Sequence, residues 1–276
     1  MTMKLLFWRG YCEKDGSLFT KAGEPVEIEP GILRRPLYAA DFTRYHFSPK
    51  TQEQIVFPYT VSEKRCTIIE ESLFRDEYPK AYAYLSTHKK QLSSRKHCRV
   101  WYGFSAPRSL HIHERAEIIV PVLANRGLYA RVPNVQSEYC MMASAGFSVR
   151  LKEFTLPVNP SYILGLINSK LLYWNLRLIS NKFRGGWVTC TKQYFGQLPI
   201  HAVNFSDSEE KLCHDKIVEC VDNLITLHSQ AEDAKMPQIQ TMLTRQIEVI
   251  DQHIDTLVYK LYGVTDEEIL MVEAPE

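Results

Sequence analysis

The sequence predicts an α+β protein, a β-rich globular domain over residues 1–206 followed by an antiparallel helical hairpin over 207–276. Three observations predict it. The first 150 residues contain short runs of β-branched and aromatic residues separated by Pro, Gly, Asn or charged turns. Near the end, Ile239, Leu243, Ile247, Ile250, Ile254, Leu257 and Leu261 recur at 4-4-3-4-3-4 spacing, which is a helix signal. The charge also divides at about residue 206. Residues 1–206 hold 28 of the 33 Lys+Arg and 16 of the 32 Asp+Glu, a net of 28 − 16 = +12, and the remaining 70 residues hold 5 and 16, a net of −11.

The strand-like runs are Gln54–Thr60, Cys66–Glu71, Arg99–Ser105, Glu117–Ala124, Leu128–Val132 and Tyr139–Leu151. One helix interrupts them. Pro79 suits a first helical position, and Ala81, Leu85, His88 and Leu92 follow on one face. A second helical region opens at Asn159-Pro160, an N-cap and N1 pair, and runs to about Ser180. Polar residues interrupt its apolar run, which predicts a buried helix and not a membrane span. Arg184-Gly185-Gly186-Trp187 reads as a tight Gly-Gly turn.

Ser206-Asp207-Ser208-Glu209 offers a capping box for the next helix, whose stripe is Cys213, Ile217, Val221, Leu224 and His228. After a short link at 234–237 comes the second hairpin helix, ended by Gly263, and Thr265 to Glu268 caps a short final helix. Seven scattered cysteines without a CxxC predict reduced thiols. Met1 to Arg9 lacks the pattern of a secretory leader. Together these predict a cytoplasmic protein.

The sequence carries no catalytic constellation. A dinucleotide or phosphate site needs a glycine-rich turn after a strand, and neither GxGxxG nor GxxxxGK[ST] occurs. Asn159-Pro160-Ser161-Tyr162 differs at one residue from the Asn-Pro-Pro-Tyr motif of amino-methyltransferases, but it stands at a helix start without a cofactor motif before it, and reads as a cap. His111 and His113 share a strand face without partners to complete a metal site. Glu209-Glu210-Lys211 and Lys152-Glu153 do not make the acidic pair of a divalent-metal nuclease, and no GxSxG elbow is present.

Two stretches instead lack carboxylates. Tyr78 to His113 contains no Asp or Glu and seven cations, and Phe154 to Ser206 contains none and carries Lys170, Arg177, Lys182, Arg184 and Lys192. Clearing acids from long stretches favours a polyanion, because a nearby carboxylate would repel phosphate. Phosphates call for Lys and Arg, and base edges for Arg, Lys, Asn and Gln. The phosphate candidates are Lys89, Lys90, Arg95, Lys96, Arg99, Lys182, Arg184 and Lys192, with Arg108 and Gln193 as base-reading candidates. Arg34, Arg35 and Arg44 form a third group. Trp101 and Phe104, among the first of these cations, are expected in the core.

An ordered set of motifs then points to a family. It comprises Glu29 to Leu37 (EPGILRRPL) with Asp41 to Tyr45, Ile55 to Tyr59 (IVFPY), Tyr78 to Leu85 (YPKAYAYL) with Leu92, Arg95 and Trp101, and Pro107-Arg108. It continues through Ile118 to Pro121, Leu164 to Ser169 (LGLINS), Gly185-Gly186, Leu198 to Ile200, and Ile254 to Ile269. Over about residues 28–270 the chain resembles the TaqI-like C-terminal specificity domain, the target recognition domain of type II restriction-modification N6-adenine DNA methyltransferases. The resemblance implies a non-catalytic DNA-reading domain with double-stranded DNA and a methyltransferase domain or subunit as partners, and no membrane. S-adenosylmethionine, and Mg²⁺ for any restriction nuclease, would belong to a longer parent enzyme, so this chain is expected to be part of one. Two alternatives stay open: a protein-interaction module whose helical hairpin docks a partner subunit, and a DNA-modifying enzyme with an unrecognised site.

Overall fold

A computed structural model describes residues 11–14, 17–20, 23–49, 52–62, 65–105, 107, 110, 116–132, 138–141, 146–151 and 158–274. The strands are β1 (Tyr11–Lys14), β2 (Ser17–Phe19), β3 (Pro25–Val26), β4 (Leu33–Leu37), β5 (Glu53–Val56), β6 (Tyr59–Val61), β7 (Cys66–Ile68), β8 (Ile118–Val120), β9 (Leu123–Ala124), β10 (Ala130–Arg131), β11 (Tyr139–Met141), β12 (Phe147–Val149) and β13 (Val188–Thr189). The helices are α1 (Glu71–Glu77), α2 (Pro79–Thr87), α3 (Lys89–Ser93), α4 (Pro160–Asn168), α5 (Lys170–Ile179), α6 (Lys192–Phe195), α7 (Ser208–Asp233), α8 (Pro237–Tyr262) and α9 (Asp266–Glu273). The class is α+β, with several small sheets and a C-terminal helical hairpin.

The chain forms two compact units. The first comprises residues 1–38, 49–116 and 134–143, and the second 39–48, 117–133 and 144–276. The charge boundary at residue 206 therefore falls inside the second unit.

In the first unit a six-stranded sheet runs in the order β11-β4-β5-β1-β2-β3. Its pairs are antiparallel except β11 with β4, where Tyr139, Cys140 and Met141 oppose Arg35, Pro36 and Leu37. The predicted strand Gln54–Thr60 is broken at Phe57-Pro58 into β5 and β6, since Pro cannot donate to a ladder. Helices α1 to α3 close over a core of Ile28, Ile32, Val56, Phe74, Leu85, Leu92, Trp101 and Tyr102. Phe74 packs against the rings of Tyr78, Tyr82 and Tyr102. Pro79 opens α2 as predicted, but the cap comes from far away: both Glu29 carboxylate oxygens accept from the backbone, Oε1 from Lys80 N at 2.7 Å and Oε2 from Ala81 N at 2.9 Å. The single helix predicted over Pro79 to Leu92 is two, because His88 leaves helical geometry (φ −107, ψ 8) and starts α3.

Two further expectations fail here. Residues 71–77 are helical where the sequence reads as the end of a strand and a charged turn. Arg99–Ser105 is a series of turns, not a strand. Its carbonyls are taken by a side chain instead of a neighbouring strand, as Arg95 donates to Trp101 O and Gly103 O.

In the second unit β8 is buried throughout and pairs with β10 and β12, and β9 pairs with β13. The helical region after Asn159 is also two helices. Asn159 caps α4, and Ser169, with extended backbone (φ −60, ψ 153), ends α4 and caps α5 by accepting from Leu172 N. Asp255 of α8 accepts from Lys170 N at 2.8 Å, satisfying another open donor at the start of α5.

The α7–α8 hairpin buries the predicted stripes along most of their length, but Ile239 at the start of the α8 stripe is exposed, and Val258 and Tyr259 outside that stripe are buried. Ile217, Val221 and Leu224 of α7 and Ile254 and Val258 of α8 are fully buried with α4 residues Leu164 and Leu166. The N-cap of α7 is Asp207, which accepts from Glu209 N and Glu210 N. The predicted box with Ser206 is absent, because Asp207 takes the cap position. Gly263 (φ 64) ends α8, and Thr265 with Glu268 makes a reciprocal capping box on α9.

Candidate nucleic-acid interface

In the first unit the candidate cations sit on α3 and the turn after it. Leu92 is buried in the core, which turns Lys90, two residues before it, to solvent, while Lys89, three residues before it, shares its side of the helix and keeps an exposed end. Lys89 Nζ lies 3.5 Å from Glu71 Oε1 and 4.8 Å from the centre of the Trp101 ring. Glu71 also accepts from Trp101 Nε1 and Tyr82 OH, and these hydrogen bonds, Trp101 first, hold its carboxyl below the usual carboxylate range. Lys90, Lys96 and Arg99 are exposed and make no ion pair among the described residues.

Arg95 differs from its neighbours. It is half-buried, and its guanidinium donates to Leu92 O at 2.7 Å, Trp101 O at 2.6 Å and Gly103 O at 3.0 Å. It ties the turns over 99–105 to α3. Trp101 is 8% exposed, a core residue as expected, while Phe104 is half-buried and packs at the edge of the core on Tyr59 and Phe57. Arg108 and the pair His111 and His113 lie outside the described residues.

In the second unit Lys182 and Arg184 flank a tight reversal. Lys182 bridges Val188, Phe183 N donates to Trp187 O at 2.7 Å, and Gly185 and Gly186 both take left-handed φ (74 and 73). Glycine is the residue that adopts this geometry without strain. Lys182 and Arg184 are exposed, as are Lys192 and Gln193 in the first turn of α6. The Gln193 carbonyl accepts from Gln197 Nε2. The sequence reading passed over two more residues of this turn: Phe183 is 52% and Trp187 37% exposed. Their place beside the glycines was visible, but their exposure was not, because aromatic residues are more often buried.

The third group does not act as one. Arg34 stacks on the Phe57 ring at 3.6 Å and Arg35 is exposed. Arg44 is buried against α8 in a two-point ion pair, Nε to Asp251 Oδ2 at 2.8 Å and Nη2 to Asp251 Oδ1 at 2.6 Å, and Nη1 donates to Gly127 O and Asn168 O. It is not available to phosphate.

The Asn159-Pro160-Ser161-Tyr162 segment is a helix start. Asn159 Oδ1 accepts from Ser161 N, and Tyr162 is fully buried with its hydroxyl on His201 O. Among the described residues, no group of three or more His, Cys, Asp and Glu could hold a metal ion, and no helix is long and apolar enough to cross a membrane.

No family model matches the chain. It is similar to the type II restriction enzyme and methyltransferase RM.Eco57I of Escherichia coli, with 26% identity over 230 residues, covering 79% of this chain. The match spans 23% of that protein's length. The similarity associates the chain with restriction–modification proteins.

Proposed function

We propose that the chain is a DNA-sequence-reading domain of the TaqI-like C-terminal specificity type, which selects the site on which a methyltransferase of a restriction–modification system acts. The observation that carries this reading is the run of exposed cations on α3 and the following turn, Lys90, Lys96 and Arg99, with Lys89 beside them on Glu71, in a stretch of sequence without a carboxylate. Positive charge that is not neutralised by its own protein is available to phosphates. The similarity to a restriction enzyme and methyltransferase supports the same reading. Sequence discrimination would come from side chains placed by those phosphate contacts.

The test is titration of labelled duplex DNA with the chain at several salt concentrations. Wild type should bind with a log–log salt slope of about −0.9 per neutralised phosphate. Reversal of Lys89, Lys90, Lys96 and Arg99 to Glu should abolish binding. Arg95 is kept, because its loss would disturb the fold. An affinity flat in salt, or untouched by the four reversals, counts against the proposal.

A second reading has one observation in its favour. An open groove on the α7–α8 hairpin is lined by Asn223, Leu227, Arg245, Val249 and Ile250, and Val249 is 65% exposed. On this reading the hairpin docks a partner subunit such as the methyltransferase, and the four reversals leave that association intact.

A further inference from the structure

The turn between Lys182 and Val188 presents apolar rings where a soluble surface gains nothing from them. Val188 is buried, and its bridge partner is Lys182. Phe183 and Trp187 are the next pair along the reversal, and both are exposed. Leu178, 59% exposed, adds apolar surface on the preceding helix.

The turn is fixed from several sides. Tyr173 OH donates to Gly186 O at 3.1 Å, Ser180 Oγ to Thr189 O at 2.6 Å, and Thr189 N to Asn181 O at 3.2 Å. The rings are thus held out on a braced support. Lys182 and Arg184 frame them, and no Asp or Glu occurs from Phe154 to Ser206.

Resting on the DNA-reading function proposed above, we infer that Phe183 and Trp187 form an apolar wedge that enters a base step of bound duplex DNA, while Lys182 and Arg184 hold the flanking phosphates. Apolar and aromatic side chains entering a base step unstack it and kink the duplex, and nearby cations offset the repulsion between the phosphates brought together. An acidic protein surface would satisfy the same charges, and the experiment separates the two.

Duplexes are first selected from a random-sequence library with the full chain. The selected site is then synthesised with 2-aminopurine at successive positions, and fluorescence is read on binding. Wild type should raise the fluorescence at one position or at two adjacent ones, marking an unstacked step. The double variant Phe183→Ala, Trp187→Ala should lose that rise and about 10-fold or more in duplex affinity, with an unchanged salt slope. Lys182→Ala with Arg184→Ala should lower the slope and keep the rise in the complexes that form. Wild type that binds without a rise at any position overturns the wedge and leaves the DNA-reading function standing. A double variant with an undiminished rise overturns the wedge equally. Failure to select or bind any duplex overturns the DNA-reading function, and the wedge with it.

Discussion

At the residue scale the second unit is organised by buried charge. Arg44 and Asp251 meet side-on, with 13% and 25% of their side chains exposed. Removing one member strands the other, which costs roughly 3–5 kcal/mol. Arg44→Ala should lower the unfolding free energy by that amount, read from the denaturant midpoint and slope, and Arg44→Lys should fail to restore it, because an ammonium cannot make the paired contact. A midpoint equal to wild type would show the pair to be dispensable. Gly127 allows this arrangement, since a Cβ there would stand 2.6 Å from Asn168 O and 2.7 Å from Arg44 Nη1.

Two groups of the α7–α8 hairpin make opposite contributions to pH dependence. Burial, and then the stacked His46 ring 5.7 Å away, pushes His228 down to about 4 from 6.5. Its contribution is full above about 6.5 and is lost as pH falls through about 4, because the unfolded imidazole takes a proton that the folded one refuses. Burial pushes Asp255 up to about 6 from 3.8, so its contribution is full below about 3.8 and is lost as pH rises through about 6. Between these limits the two slopes oppose each other. Asp255→Asn removes one and keeps an acceptor for Lys170 N. Its unfolding free energy should rise with pH more steeply than that of wild type, by about 1.4 kcal/mol per pH unit at most. Parallel curves for variant and wild type across this window would refute the assignment.

At the element scale the close approach of α4 to α7 depends on Gly165. A Cβ there would lie 2.6 Å from Ile217 Cγ2 and 3.2 Å from Val221 Cγ2. Alanine gains about 1 kcal/mol of helix propensity, but the crowding falls on stiff β-branched neighbours and costs about 1–3 kcal/mol. Gly165→Ala should therefore destabilise, and Ile217→Ala should relieve part of that in a double-mutant cycle. Strict additivity of the two substitutions would place the contact elsewhere. Where the sequence predicts one long helix and the structure has two, a polar residue leaves helical geometry: His88 before α3 and Ser169 before α5. Apolar spacing alone does not register such breaks, because the stripe continues through them.

At the scale of the whole molecule, the chain carries opposite net charge in its two sequence segments, +12 over residues 1–206 and −11 beyond, yet its compact units interleave sequence from both sides of residue 117. Segment 39–48 belongs with the hairpin, through Arg44 to Asp251 and through His46 and Ser48 to Glu232. The rival in which this chain is itself a DNA-modifying enzyme makes a different prediction. Saturating S-adenosylmethionine or Mg²⁺ would raise the melting temperature by mass action if a site existed. We expect no shift, and a rise that grows with ligand concentration would favour the rival.

The sequence by itself determined the α+β class, the hairpin stripes, the caps at Asn159 and Thr265, the Gly-Gly turn and the acid-free stretches. Each of these rests on residues near in sequence, where spacing, capping chemistry and charge act directly. Tertiary structure alone decided which cations are available. Lys90 and Arg95 lie five residues apart in one basic run, yet one is exposed and the other binds backbone carbonyls. Arg44 looks like an open charge until Asp251, 207 residues away, is brought beside it. Only the folded chain holds Phe183 and Trp187 outward. A side chain's partner is set by long-range packing, and no local pattern encodes it.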